Sequence, residues 1–386
     1  MKVSGIIAEF NPFHNGHKYI VDSAKKTSDC IIAIISGNYV ERGTPAYFSK
    51  FIRAKAAIEN GVDLVIELPS PWSTSFAQNF AIGGVSLLKE LKVDNIVFGC
   101  ESDELNKLEK IAANDTFIFD KDFKGTYASA RQQAIETNLG KEYSILLETP
   151  NNNLAIEYIK AAKFLRFDTN FIAIKRLGVG HDDDIVTDNI ASASKTREML
   201  QNGENIDSFV PDSANKIYTT ALENKEYLSE EKFNNAVISQ LRRFNNFKEL
   251  PELSEGIENR LEKAILKASN YNELLDLIKT KRYTLARVRR LVLNAFLGID
   301  SSWLHKEVPY INVLGFSKTG EKYLKEVSDS LSKPLIFSMK PNIPLDKEAE
   351  LLLNKECERN DIYMSLLQTA QPCKSDYTHK LIKRMD

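Results

Sequence analysis

Two histidines three residues apart, His14 and His17, flank Gly16 in the stretch Ile6 to Tyr19, I-I-A-E-F-N-P-F-H-N-G-H-K-Y. Imidazoles so spaced can aim their N–H groups at one anion. If a helix starts here, its first free N–H groups and the positive end of its dipole favour phosphate at the same spot. The elements that must hold them are legible. Val3 to Phe10 is rich in β-branched and small residues, as a buried parallel strand requires, and Asn11 with Pro12 ends it. His17, Tyr19, Ile20, Val21 and Ala24 then recur with helical spacing. The pattern predicts a strand, a tight turn and a helix start, with Gly16 letting backbone approach a ligand. Two other readings stand beside this one: solvated or capping histidines, and a metal site. Against metal, no Cys or carboxylate cluster adjoins the pair, although His181 with Asp182, Asp183 and Asp184 is available from afar.

Phe10, Pro12, His14, Gly16 and His17 fit F-x-P-x-H-x-G-H, the signature of the nucleotidylyltransferase superfamily, whose members attack the α-phosphate of a nucleoside triphosphate and expel pyrophosphate. The whole chain resembles one branch, the bacterial tRNA(Met) cytidine acetate ligases. N-P-F-H-N-G-H at 11–17, S-G at 36–37, R-G at 42–43, G-V-D-L-V-I-E-L-P at 61–69 and F-G at 98–99 carry the likeness.

The resemblance implies an ATP site along Ile7, Ala8, Glu9, Phe10, Asn11, Pro12, Phe13, His14, Asn15, Gly16, His17, Lys18, Tyr19 and Ile20. It adds Gly99, Asn152 and Arg176 for nucleoside and phosphate placement. P-N-N at 150–152 is similar to a family segment whose Asn contacts ATP, and Arg176 opens a match to R-x-G-x-x-H-D. S-A-S-K-T-R at 192–197 resembles the superfamily's I-S-S-T-x-I-R, where a helix start and a terminal Arg hold the β- and γ-phosphates. Ser192, Ser194 and Arg197 are kept, while Ala191, Ala193 and Thr196 depart from the pattern. The implied catalytic set is His14, His17 and Arg197. Taken alone, Asn151, Asn152, Ser192 and Ser194 also read as helix caps and Arg176 as a surface charge.

A length of 386 residues predicts two or three domains, and 43% hydrophobic with 27% charged residues is an ordinary globular balance. The net charge of −2 requires any nucleic-acid surface to be local. Cys30, Cys100, Cys357 and Cys373 form no C-x-x-C pair and no zinc spacing, as expected of free thiols in a reducing cytosol. The chain enters a strand at once, and no apolar run approaches the roughly 20 residues of a membrane helix. A cytoplasmic protein with no membrane partner is expected.

Further strands are predicted at Cys30 to Ser36, Asp63 to Leu68, Asn95 to Gly99 and Phe171 to Leu177, with helices over 49–60, 72–91 and 156–165 between them. The stretch 105–138 reads as helical, with a surface connection at 121–126. Such alternation predicts a parallel sheet covered on both faces, with ligands at the carboxyl ends, where His14, Gly37, Pro69 and Gly99 fall. The expected class is α/β. It comprises a Rossmann-like nucleotidylyltransferase domain over 1–205, a helical domain over 206–305 and a small α/β C-terminal region over 306–386.

In the helical part, Lys279 to Arg290 carries six basic residues, and no Asp or Glu occurs between Asp276 and Asp300. Leu285, Val288, Val292, Ala295 and Phe296 form a core stripe. Arg282 and Arg289 lie along its edge, with Arg287 and Arg290 away from it, so the charges are expected to face outwards. That face is either solvated or an RNA contact through Lys279, Arg282, Arg287, Arg289 and Arg290. The segment resembles the ligases' K-R-Y-T-x-x-R-x-x-R.

The resemblance implies acetyl-adenylate formation from acetate and ATP, then acetyl transfer to the wobble cytidine of elongator tRNA(Met). Mg²⁺ is expected with ATP, no acetyl-coenzyme A is required, and no obligate protein partner is evident. Two rivals are a metabolite nucleotidylyltransferase, which is complete in little more than the first 200 residues, and a non-catalytic tRNA- or nucleotide-binding protein. The helical half with its acid-free basic stretch argues against the first, and intact His14, Gly16, His17 and Arg197 against the second.

Overall fold

The computed structural model describes residues 1–102, 104–115, 127–177, 189–254, 256–339 and 344–385. His181 with its aspartates and the connection at 121–126 lie outside the described residues. The apolar runs form β1 (Val3–Ala8) and β2 (Cys30–Ser36), the latter buried at every position. A short antiparallel hairpin follows, β3 (Tyr39–Val40) and β4 (Thr44–Pro45). With β5 (Leu64–Leu68), β6 (Asn95–Cys100) and β7 (Asn170–Lys175) the parallel strands lie in the order β5-β2-β1-β6-β7. Strands this apolar need cover on both faces, and they have it. The helices Asn15–Lys25 and Lys50–Glu59 cover one face, Ala77–Glu90 and Pro150–Phe164 the other.

The single helix expected over 72–91 is two, Ser70–Ser73 and Ala77–Glu90. The Thr74 hydroxyl donates to the Ser70 carbonyl at 2.7 Å, in competition with the helical ladder, and Phe76 takes extended backbone. Beyond residue 205 the chain is helical as expected, through Asp212–Glu223, Glu230–Leu241, Ile257–Ile265, Tyr271–Ile278 and Leu285–Leu297. These helices share one apolar core with a face of the sheet. Fully buried Tyr218 stacks on Phe48 with ring centroids 4.8 Å apart.

The residues past 306, which the sequence predicts as a small α/β region, extend the same sheet. β8 (Ile311–Ser317) pairs antiparallel with β5, and β9 (Leu335–Ile336) and β10 (Ile382–Arg384) pair with β8. The physical reason lies in β5. Its residues L-V-I-E-L are all buried, and without β8 they would form an unprotected apolar edge. Among the described residues no helix is long and apolar enough to cross a membrane.

Candidate active site

The strand order reverses between β1 and β6, and a crevice opens there beyond the carboxyl ends. It is a cleft of about 680 Å³. Past β1, Phe10 turns the chain through a left-handed φ of 48°, and the Asn11–Pro12 peptide is cis. The turn is tied from outside. Asn11 Oδ1 accepts the Tyr47 N–H at 2.9 Å, and the Phe13 N–H donates to the Tyr218 hydroxyl at 2.8 Å. Arg53, fully buried on the helix Lys50–Glu59, donates to the carbonyls of Glu9, Ser36, Gly37 and Phe48, and so gathers the ends of β1 and β2.

His14 is the N-cap of the next helix. Its Nδ1 accepts the Gly16 N–H at 3.0 Å, while His17 Nδ1 accepts the His14 N–H at 3.3 Å. The two imidazoles thus form a reciprocal capping box, with ring centroids 3.8 Å apart. A nitrogen that accepts carries no proton, so each neutral ring presents Nε2–H as its donor. Burial, and then the charges of Arg176 and Arg197, lower His14 to about 3. Burial, His14 and Arg176 hold His17 well below the usual imidazole range. Two neutral donors result, and the capping reading of the pair holds. Gly16 is required by His14 itself, since a Cβ there would lie 2.8 Å from the ring's Cε1.

A second helix start meets this turn. Ser192 Oγ caps the helix Ala193–Gln201 by accepting the Lys195 N–H at 3.1 Å, and Ser192 and Ser194 line the cleft. Arg197 reaches back, with Nη1 2.6 Å from the Asn11 carbonyl and Nη2 3.1 Å from Ser194 Oγ. Burial lowers its pKa. Gly99 and Arg176 line the wall at the ends of β6 and β7, Arg176 lying 3.4 Å from Asn151 Oδ1.

The other expected residues divide between the cleft wall and the core or surface. Ile7, Ala8, Glu9, Phe10, Asn11 and Ile20 join the histidines on the cleft wall. Pro12 is buried and Tyr19 packs against the core, neither on that wall. Phe13 is buried in the core, and Asn15 donates through Nδ2 to the Asn189 and Ser208 carbonyls. Lys18 pairs with Asp22 one helical turn on. Asn152 is 1% exposed, and its Oδ1 accepts the Glu101 N–H at 3.1 Å, while Asn151 and Asn153 face the cleft. Neither asparagine caps its helix. The Glu101 carboxylate does so from the end of β6, accepting the Asn152 N–H at 3.0 Å, an anion at a positive helix end.

The sequence reading missed Glu41, the cleft-side role of Arg42, and Phe80, Phe98 and Tyr158, all on the wall. The E-R-G between β3 and β4 was the available signal for the first two. In the basic segment, Lys279 and Arg282 are exposed and Arg289 is half-buried. Arg287 donates to the Glu252 carbonyl at 2.8 Å and lies over the Tyr283 ring. Arg290 is turned inwards, contrary to the expected outward face. It is 8% exposed, bidentate to Glu252 at 2.7 and 2.8 Å, and 3.1 Å from Glu41 Oε1. Helical periodicity counts turns within one helix, and the partners that claim Arg290 come from residues 38 and 249 positions away.

A family model described as HIGH Nucleotidyl Transferase matches residues 1–379. The tRNA(Met) cytidine acetate ligase of Thermoanaerobacter sp. (strain X514) is 36% identical, over 99% of this chain and 100% of the relative. That of Leuconostoc mesenteroides is also 36% identical, over 94% and 98%. A crystal structure of Thermotoga maritima TmcAL bound with alpha-thio ATP superposes at TM-score 0.91 and 27% identity, and the apo form at 0.92, each covering both chains completely. With this turn, this cleft and these relatives, the chain belongs to the HIGH nucleotidyl transferases, in the family of the tRNA(Met) cytidine acetate ligases.

Proposed function

We propose that this protein is an ATP-dependent acetate ligase that forms N4-acetylcytidine at the wobble position of elongator tRNA(Met) in the cytoplasm. The observation that carries this reading is the pair of neutral imidazole donors, His14 and His17, at the strand-order switch point. The full-length likeness to ligases of that name supports the choice of substrates.

In the first half-reaction an acetate oxygen attacks the α-phosphorus of ATP and pyrophosphate leaves. Charge accumulates on the phosphate oxygens, and donors fixed beforehand stabilise it without reorganising. His14 and His17 supply two, the helix start at Ser192 to Ser194 supplies more, and Arg197 holds the pyrophosphate end. Gly99, whose missing side chain admits Ile20 and Arg176, lines the wall assigned to the nucleoside, and Asn152 supports that wall through Glu101. Mg²⁺ is proposed to travel with ATP. Among the described residues no group of three or more His, Cys, Asp or Glu converges to hold it. In the second half-reaction the cytidine amine takes the acetyl group and AMP leaves, without acetyl-coenzyme A. Lys279 and Arg282, exposed within the stretch 277–299 that holds no Asp or Glu, are assigned to tRNA, with Arg289 beside them.

The test is incubation of the protein with ATP, Mg²⁺, radiolabelled acetate and bulk bacterial tRNA, with and without acetyl-coenzyme A. Label recovered as acetylcytidine in one tRNA species, independent of coenzyme A, is expected. Pyrophosphate release that instead requires a small phosphorylated metabolite would move the assignment to a metabolite nucleotidylyltransferase.

A further inference from the structure

Taking acetyl transfer to cytidine as the reaction of this cleft, we infer that Glu9 accepts the proton of the cytosine 4-amino group as that nitrogen attacks the acetyl carbonyl. A cleft furnished with imidazole N–H groups, a helix start, Arg176 and Arg197 is built for anions. A carboxylate in its wall works against a triphosphate and calls for a separate reason. Glu9 sits in that wall, one residue past β1. Its Oε1 accepts the Glu41 N–H at 2.9 Å, and among the described residues its Oε2 takes no hydrogen bond. Glu41, the neighbouring carboxylate, is already engaged, with Oε1 3.1 Å from Arg290. Among the described residues the other carboxylates of this wall are held by side chains, Glu41 by Arg290, Glu101 by Asn151 and Glu148 by Gln132, whereas Glu9 is held by a backbone N–H alone.

Its position fits an incoming base. On one side the Asn11 carbonyl, two residues on, holds Arg197 of the phosphate-binding set. On the other, Glu41 and Arg290 connect Glu9 to the helix Leu285–Leu297, which follows exposed Lys279 and Arg282. Phe98 and Tyr158, with ring centroids 6.2 Å apart, give the same cleft flat apolar surface for a base. A carboxylate accepts from the amino group of cytosine and repels the carbonyl that uracil carries there, so the residue that takes the proton also selects the base. In the step itself the amine lone pair forms the N–C bond and the amine proton passes to Glu9 Oε2. The acetyl–oxygen bond of the adenylate then breaks, and its electron pair leaves on the AMP phosphate. Glu9 returns the proton to solvent.

Glu9→Gln tests this, because the amide oxygen still accepts the Glu41 N–H. Acetate-dependent ATP–pyrophosphate exchange reads the first half-reaction, and single-turnover transfer from preformed acetyl-adenylate to tRNA reads the second. Transfer is expected to fall about 10²- to 10⁴-fold further than exchange, the usual worth of a positioned base. Glu9→Asp, which keeps the charge on a shorter stem, is expected to recover part of that loss. Equal losses in both assays would assign Glu9 to the nucleotide or its metal and overturn the inference, as would unimpaired transfer. Absence of exchange in the unsubstituted protein would instead overturn the ligase reading, and this inference with it.

Discussion

At the scale of single residues, the proposed chemistry rests on two histidines whose protons are placed by backbone rather than by pH. Each Nδ1 is occupied by a main-chain N–H, so each ring donates through Nε2. Replacing either by Ala is expected to lower acetate-dependent exchange by about 10²–10³-fold, the worth of one oxyanion-type donor, with tRNA binding retained. Exchange at the full rate in either variant would remove that imidazole from the phosphate site. Stability carries the same signature. With His14 near 3 when folded and near 6.5 when unfolded, the unfolded chain binds the extra proton between those values. Stability is therefore complete above pH 6.5 and is lost as pH falls towards 3, by up to about 1.4 kcal/mol per pH unit for this one group. Urea midpoints at pH 7.5 and 5 should show the drop, and His14→Gln should make it shallower.

At the scale of elements, the hairpin β3–β4 and the helix Leu285–Leu297 act as one piece. Gly43 has φ +76°, and a Cβ there would collide with the Arg290 backbone nitrogen, so the hairpin packs directly on helix backbone. Arg290 locks the contact through Glu252 and Glu41. Arg290→Ala would strand two poorly solvated carboxylates, and a loss of about 3–5 kcal/mol in chemical denaturation is expected. Lys279→Glu with Arg282→Glu should behave oppositely, with stability changed by no more than about 0.5 kcal/mol. The double variant is expected to bind tRNA more weakly, and with a flatter salt dependence, because fewer counterions are released. Unchanged tRNA affinity would make this face a solvated one.

At the scale of the whole molecule, the far end of the chain returns to the sheet that carries the site. Fully buried Lys50 lies 2.9 Å from Glu67 on β5 and 2.7 Å from Asp376 near the C-terminus. Lys50→Met would leave both carboxylates without their cation. A destabilisation of about 3–5 kcal/mol, read from a denaturation curve, is expected. A midpoint equal to that of the unsubstituted protein would mean that the C-terminal segment is held by its apolar contacts alone.

The parallel sheet, the strand-to-helix turn and the placing of His14 and His17 at that turn were legible in the sequence alone. Periodicity, Pro and Gly punctuation and the spacing of His14 and His17 are local properties, and the backbone obeys them within a few residues. Ser192 and Ser194 were legible as a helix start for the same reason, whereas Arg197 was singled out by the resemblance to the superfamily's I-S-S-T-x-I-R. The remaining features came from contacts between distant segments. β8 joined β5 because a buried edge needs a partner, and the strand that supplies it lies some 250 residues on. Arg290 turned inwards because Glu41 and Glu252 meet it in space, and Asn152 turned from the cleft because Glu101 claimed it. Glu41, Phe80 and Tyr158 became cleft residues only when separate strands and helices met at one switch point. Contacts between distant segments set those outcomes, and no pattern within a single segment encodes them.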